Sequence, residues 1–171
     1  MANADIIDIA RFPFFIGARD VTEVHDLPSY LPLKIYVDQK LAIPRVRYSP
    51  EVLEAVTRAY KFGSMLSTPL GCGALGQERM EHFLATLQSA VGSIRGKNFV
   101  EIGCGDGSLM DAIRSKGGHV VGFEIGPQGE EAKHRYGLEI YCKPLSSELL
   151  GGLADCIYSY GVLEHISELT G

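Results

Sequence analysis

The sequence predicts an α/β protein whose carboxyl-terminal part folds as a doubly wound parallel sheet, preceded by a small β-rich and helical region. Three observations point there. From Lys97 onward, strand-like and helix-like segments alternate with short connections. A glycine-rich bend, Gly103 to Gly107, joins the first of those strands to the first of those helices. Prolines at 13, 28, 32 and 44 break residues 1–49 into short extended pieces.

Taken in order, residues 1–49 are expected to form a small β-rich region. Within it, Leu33–Val37 and Leu41–Val46 are placed to make a hairpin across Asp38-Gln39-Lys40. Residues 50–96 form a helical linker or lid. Ser49-Pro50-Glu51 is a helix start: serine suits the N-cap, proline the first turn, and glutamate the positive end of the dipole. Val52, Leu53, Val56, Ala59 and Tyr60 then recur at helical spacing. After the glycine-rich interruption Leu70–Gly76, a second helix runs from about Gln77 to Val91, with Met80, Phe83, Leu84, Leu87 and Val91 on one side. Residues 97–171 carry strands at Asn98–Ile102, His119–Glu124, Leu138–Cys142 and Cys156–Ser159. Helices at Ser108–Lys116, about Pro127–Arg135 and Ser147–Leu150 alternate with them. Right-handed crossovers between such strands give a parallel sheet.

Composition narrows the class. The 171 residues are 46% hydrophobic and 22% charged, a globular balance, and the net charge of −5 argues against a broad grip on nucleic acid or an acidic membrane. No apolar run approaches the ~18 residues of a membrane helix, and nothing near Met1 has the layout of a signal peptide. Cys72, Cys104, Cys142 and Cys156 are widely separated, so neither a disulfide scaffold nor a zinc site of the usual spacing is expected, and a cytoplasmic setting with reduced thiols follows. Histidines 25, 82, 119 and 134 form no ligand cluster.

The most informative stretch is Glu101-Ile-Gly-Cys-Gly-Asp-Gly107. A chain that turns from a buried strand into a helix within a few residues needs positive φ, which glycine supplies. Missing Cβ atoms also let a ligand lie against the backbone over the positive end of the helix. Twenty-one positions after Gly103, Glu124 stands at the tip of the next strand, where an acid can accept hydrogen bonds from both hydroxyls of a ribose. A dinucleotide or S-adenosylmethionine would satisfy this pattern. The dinucleotide fingerprint wants glycine as its sixth residue, where this chain has Ser108, and Glu101 sits where a cationic amino group could be held.

The pattern Glu-x-Gly-x-Gly-x-Gly resembles motif I of the Rossmann-like, class I S-adenosylmethionine-dependent methyltransferases. Asp155-Cys-Ile-Tyr-Ser-Tyr-Gly-Val-Leu-Glu-His-Ile166 is similar to the fourth-strand motif of the same family, and the resemblance covers about residues 97–168. It implies an enzyme that binds S-adenosyl-L-methionine through Glu101, Gly103, Cys104, Gly105, Gly107, Glu124, Ile125, Ser159 and Tyr160 and methylates a small molecule, with no metal. Leu145 and Ser146 fall in the region that normally contacts adenine, although Lys143-Pro144 replaces the acid often found there. Leu31–Val37 and Tyr60-Lys-Phe-Gly-Ser64 resemble, more weakly, the sugar-nucleotide C-methyltransferases. Those carry a zinc module before the cofactor domain; residues 1–60 here contain no cysteine, so the module would have lost its metal. The acceptor would then be a sugar or sugar-like compound.

For the chemistry, the resemblance points to His165, and less to Glu164, as the base that would remove the acceptor's proton. The same Glu-His pair serves in relatives to cap the following helix, and both readings stand. In that family a fifth strand covers the fourth, so the sheet is expected to be truncated, with an edge at Cys156–Ser159 open to pairing with a second copy. Two alternatives follow: a non-catalytic cofactor-binding fragment that needs a partner or a missing carboxyl-terminal part, and an NAD-dependent oxidoreductase.

Overall fold

The computed structural model describes residues 5–14, 27–61, 70–146, 148, 152 and 154–166. The chain divides into two compact units, Met1–Leu66 and Ser67–Gly171. In the first, strands β1 (Asp5–Pro13), β2 (Tyr30–Asp38) and β3 (Ile43–Val46) form an antiparallel meander in that order. The expected hairpin is there, but its second strand starts at Ile43, not Leu41. Asp38 is the reason: its Oδ1 accepts from the Lys40 and Leu41 amides at 2.9 and 3.0 Å, and Ala42 turns the chain at φ 54°. Helix α1 (Pro50–Lys61) begins as read, with the Val52 amide donating to Ser49 Oγ at 3.3 Å. Its buried Val52 and Ala55 pack with Leu31 of β2.

The second unit opens with α2 (Gly73–Val91), which starts a turn earlier than the glycines suggest. Gly73 takes the positive φ, whereas Gly76 is an ordinary buried helical residue. Four parallel strands follow, β4 (Asn98–Ile102), β5 (His119–Phe123), β6 (Glu139–Tyr141) and β7 (Cys156–Ser159), in the order β6-β5-β4-β7. Helix α3 (Ser108–Ser115) crosses from β4 to β5, and α4 (Gln128–Tyr136) from β5 to β6. The chain thus winds outward from β4 in one direction and returns to its other side as β7, so a switch in strand order falls beside β4, as in a Rossmann-like fold. The short helix expected at Ser147–Leu150 lies largely outside the described residues.

Local chemistry sets these boundaries. Asp155 aligns β7 with β4 at their amino-terminal ends: its amide donates to the Asn98 carbonyl and its Oδ2 accepts from the Asn98 amide, both at 2.8 Å. Glu101 is thereby placed opposite Tyr158, and Ile102 opposite Ser159. Helix α4 carries Glu130 and Glu131 in its first turn and ends on Gly137 at φ 61°, whose amide donates back to the Lys133 carbonyl. Arg114 of α3 donates to the carbonyl of Tyr136, tying the two helices together. Two hydrophobic clusters hold the unit. One joins Leu84 and Leu87 of α2 to Phe99, Leu109, Ile113 and Tyr158; the other joins Cys104 and Met110 to Ala132, Leu138 and Ile140. Each fully buried large side chain, such as Phe99 or Ile113, contributes roughly 1.5–3 kcal/mol.

The bend between β4 and α3 shows why two of its glycines are not equivalent. Gly107 (φ 73°) caps α3, and a Cβ there would meet Ala132 Cβ at 2.9 Å and Leu138 Cδ1 at 3.0 Å. Among the described residues, no atom lies within 4 Å of the Cβ position of Gly105 (φ 53°). Gly107→Ala is therefore expected to lower unfolding free energy by about 2–4 kcal/mol, the sum of backbone strain and overpacking, against about 1–2 kcal/mol for Gly105→Ala from strain alone. Urea denaturation of the two variants checks the difference; equal losses would contradict it.

Candidate functional site

The site is built at the carboxyl ends of the parallel strands, where β4 gives way to α3. The Gly103 and Cys104 amides both donate to the Phe123 carbonyl, at 2.7 and 3.2 Å, so the loop leaves its strand pinned to the end of β5. Gly103, Gly105 and Gly107 all take positive φ, 71°, 53° and 73°. Asp106 closes the turn: its Oδ1 accepts from the Ser108 amide and hydroxyl at 3.2 and 2.7 Å. Gly71, just before α2, comes down on the same place, since a Cβ on it would lie 2.8 Å from that of Ser108. What remains, among the described residues, is open main chain at Gly105.

Beside that strip stands Glu124, buried at the tip of β5. Its Oε2 accepts from the Gly105 amide at 2.9 Å and its Oε1 from the Gly126 amide at 2.7 Å. Both oxygens therefore face the glycine loop and its own following turn, and each retains a further lone pair. Ile125, the next residue, is exposed, which sets an apolar side chain next to the carboxylate at the surface. Phe123 stacks on Tyr141 at the end of β6, with ring centroids 5.3 Å apart and planes 20° apart; Leu145 and Ser146 follow, half-buried.

Glu101 lies deeper, 3% exposed, and its Oε2 accepts from the Tyr158 hydroxyl at 2.8 Å. Burial pushes the Glu101 carboxyl up to about 8; Asp106 and Glu124 push the same way, and the Tyr158 hydrogen bond opposes them. Tyr158 is itself raised, by burial first and then by Glu101. Cys104 packs inside the second cluster, and burial raises its thiol, so it stays protonated and reaches the loop through its main chain.

The last wall comes from the chain after β7. Ser159 and Tyr160 are half-buried. Val162 presses on Gly103, where any Cβ would strike it. A single 3-10 turn, Leu163–His165, then carries Glu164 and His165, both exposed; the His165 amide donates to the Val162 carbonyl at 2.9 Å, and Glu164 Oε1 lies 3.6 Å from the Cβ position of Gly161. The structure thus gathers the glycine loop, Glu101 and Glu124 tightly and sets Glu164 and His165 at the rim.

Two residues that sequence reasoning missed join the site. The sequence offers Tyr158 only as a member of the fourth strand and its motif, although its place two residues from Tyr160 puts both on one side of the sheet. Arg79 of α2 donates from Nε to the Tyr160 hydroxyl at 2.9 Å, and no short-range pattern signals a partner so distant in the chain. Among the described residues, no group of three or more His, Cys, Asp or Glu is arranged to hold a metal ion. Ser64, which the weaker resemblance would turn with Tyr60 toward the cofactor's methionyl end, lies outside the described residues.

Comparison with known proteins adds the family. No curated protein matches the sequence. Among solved structures, magnesium protoporphyrin IX methyltransferase from Synechocystis PCC 6803 with bound SAM is 26% identical, with a TM-score of 0.44, over 53% of this chain and 46% of that one. Its counterpart with bound SAH is 22% identical, again at 0.44, over 56% and 49%. The chain spans about half the length of these solved relatives. The family model described as "Methyltransferase domain" matches residues 76–171, more than half of the chain and all of the site built above except Gly71. The chain therefore belongs to the methyltransferase domain family, the class I S-adenosylmethionine-dependent methyltransferases.

Proposed function

We propose that the chain binds S-adenosylmethionine at the glycine loop and, with whatever completes its acceptor side, transfers the methyl group to a small molecule. The observation that carries the reading is Glu124 bridging the Gly105 and Gly126 amides beside open main chain. A carboxylate so held has spare lone pairs for the two hydroxyls of a ribose, and a Cβ-free Gly105 lets the nucleoside approach. When bound, the cofactor supplies a methyl group activated on a positively charged sulfur. Glu101, within the same loop's reach, would hold the cationic amino group; a nicotinamide dinucleotide has no such group to offer it. Ser108, which replaces the glycine of the dinucleotide fingerprint, is buried and bonded to Asp106, further support for the methyltransferase reading.

His165 at the rim is the proposed base, with an exposed imidazole that can pass its proton to water. A sugar or sugar-like acceptor and a cytoplasmic setting rest on the sequence resemblance and on the unpaired thiols.

Calorimetric titration with S-adenosylhomocysteine tests the assignment. Glu124→Ala should weaken binding by roughly 2–4 kcal/mol, tens to hundreds of times, because it removes charged acceptors and releases the loop. Urea denaturation of the same variant shows whether the fold survives. Unchanged affinity, or tighter binding of NAD than of S-adenosylhomocysteine by the wild type, would overturn the reading. A methyl-release assay separates the enzyme from a fragment that only binds.

Glu101 adds a pH dependence. Its carboxyl, raised to about 8 when folded and ordinary when unfolded, binds a proton in the folded state between those values. Stability should therefore fall as pH rises toward 8, by up to about 1.4 kcal/mol per pH unit, a slope that Glu101→Gln abolishes. A cationic amino group beside Glu101 favours the ionised form, so affinity for S-adenosylhomocysteine should rise over the same window and binding near neutrality should release protons. Titration in buffers of different ionisation enthalpy measures that release; pH-independent affinity would contradict the contact.

A further inference from the structure

The net charge of −5 is unevenly spread over the parallel-sheet unit. Residues 67–171 carry eight Lys and Arg against thirteen Asp and Glu, yet six of those eight cations gather where the strands begin. Arg95 and Lys97 lie in the connection that enters β4, Arg114 and Lys116 at the end of α3 before β5, and Lys133 and Arg135 in the last turn of α4 before β6. Main-chain bonds draw these connections together. The Gly96 amide donates to the Gly117 carbonyl and the His119 amide to the Lys97 carbonyl, both at 2.8 Å. Arg95 lies along Gly117, its Cγ 3.3 Å from where a Cβ would stand, and Arg114 donates to the Tyr136 carbonyl at 2.7 Å.

Among the described residues three acids share this end, and each is engaged. Asp111 pairs with Arg114, Asp155 with Lys97 at 3.7 Å, and Glu139 takes the Tyr141 hydroxyl at 3.0 Å. Arg95, Lys116 and Arg135 are exposed and, among the described residues, pair with no carboxylate. The negative ends of α3 and α4 account for cations in their last turns, but Arg95 belongs to no helix.

What such a surface fits follows from what it lacks. No large exposed hydrophobic among the described residues lies there, whereas protein interfaces centre on aromatic and apolar anchors. Tyr136 is half-buried, with the Arg135 guanidinium 5.9 Å from its ring centre, and gives a nucleic-acid base nothing to stack on. The connections into β4, β5 and β6 are short, so no helix or ribbon projects to enter a groove. Cations spread over a level face of short turns match a level array of anionic headgroups. The whole chain is acidic, but attraction acts within about 10 Å at 0.1 M salt, where the facing residues dominate.

We propose that this strand-entry end of the sheet docks the chain on an anionic phospholipid surface. The glycine loop stands at the opposite ends of the same strands, so a docked chain holds that loop clear of the bilayer.

Vesicle sedimentation tests it, with equal parts phosphatidylserine and phosphatidylcholine against phosphatidylcholine alone. The wild type should sediment with the anionic vesicles only, and raised salt should release it. Arg95→Gln, Lys116→Gln and Arg135→Gln should each weaken binding about five-fold, and together about a hundred-fold. Lys40→Gln, which removes a charge from the first unit, should stay within about two-fold. Urea denaturation and titration with S-adenosylhomocysteine should show the triple variant folded and unchanged at the glycine loop. No binding to anionic vesicles at low salt, equal binding to neutral ones, or a triple variant that binds like the wild type overturns the proposal. Tighter binding of duplex DNA or polyglutamate than of the vesicles also overturns it, assigning the face to a different polyanion. If the triple variant fails to fold, the single variants decide by the same five-fold steps. A wild type that binds vesicles but not S-adenosylhomocysteine refutes the proposed function and leaves the docking surface standing.

Discussion

The carboxylate of Glu124 is the constraint on which the site depends. A buried acid is costly unless its oxygens are satisfied, and here each oxygen accepts from a main-chain amide, one on the glycine loop and one on the turn after β5. Those bonds do two things at once. They fix the glycine-rich loop at Gly105, and they set the carboxylate beside that residue's main chain. The anchors of Gly103 and Cys104 on the Phe123 carbonyl work beside them, so the first two parallel strands are stitched together at the ligand end three times over. A residue that only lined a pocket would be replaceable; one that also shapes the loop is not.

Glu101 and Tyr158 form a second buried polar pair with a different logic. Their strands are set in register by Asp155, far below, so that the hydroxyl meets the carboxyl across adjacent strands. The pair is hydrogen-bonded, and among the described residues no cation compensates it, so burial raises the carboxyl. A group held near its neutral form by the fold is poised to ionise when a positive charge arrives. On the proposed reading, a cationic amino group beside Glu101 would offset the cost of burying its charge.

Much of this was legible in the chain. The strands from Asn98 to Cys142, the helices between them and the bend at Gly103 to Gly107 follow from alternation and from glycine's access to positive φ, and each falls within a residue or two of its expected bounds. Composition misled at Leu70–Gly76, because Gly76 reads as a breaker yet sits buried within α2, where a small residue is tolerated at about 1 kcal/mol. The Tyr158–Glu101 and Arg79–Tyr160 pairs were not legible at all. Tyr158 meets Glu101 across 57 positions and Arg79 meets Tyr160 across 81, contacts that depend on strand register and on which helix covers the sheet. Periodicity reports which residues share a side; it does not name what lies opposite.

The central claim is that the Gly105 main chain, braced by Glu124, is where the nucleoside rests. Amide resonances of a 15N-labelled chain, followed as S-adenosylhomocysteine is added, test it most directly. The account requires the Gly105 and Gly126 signals to shift in step with saturation, and NAD to leave them in place. Saturated binding with both signals unmoved would contradict it.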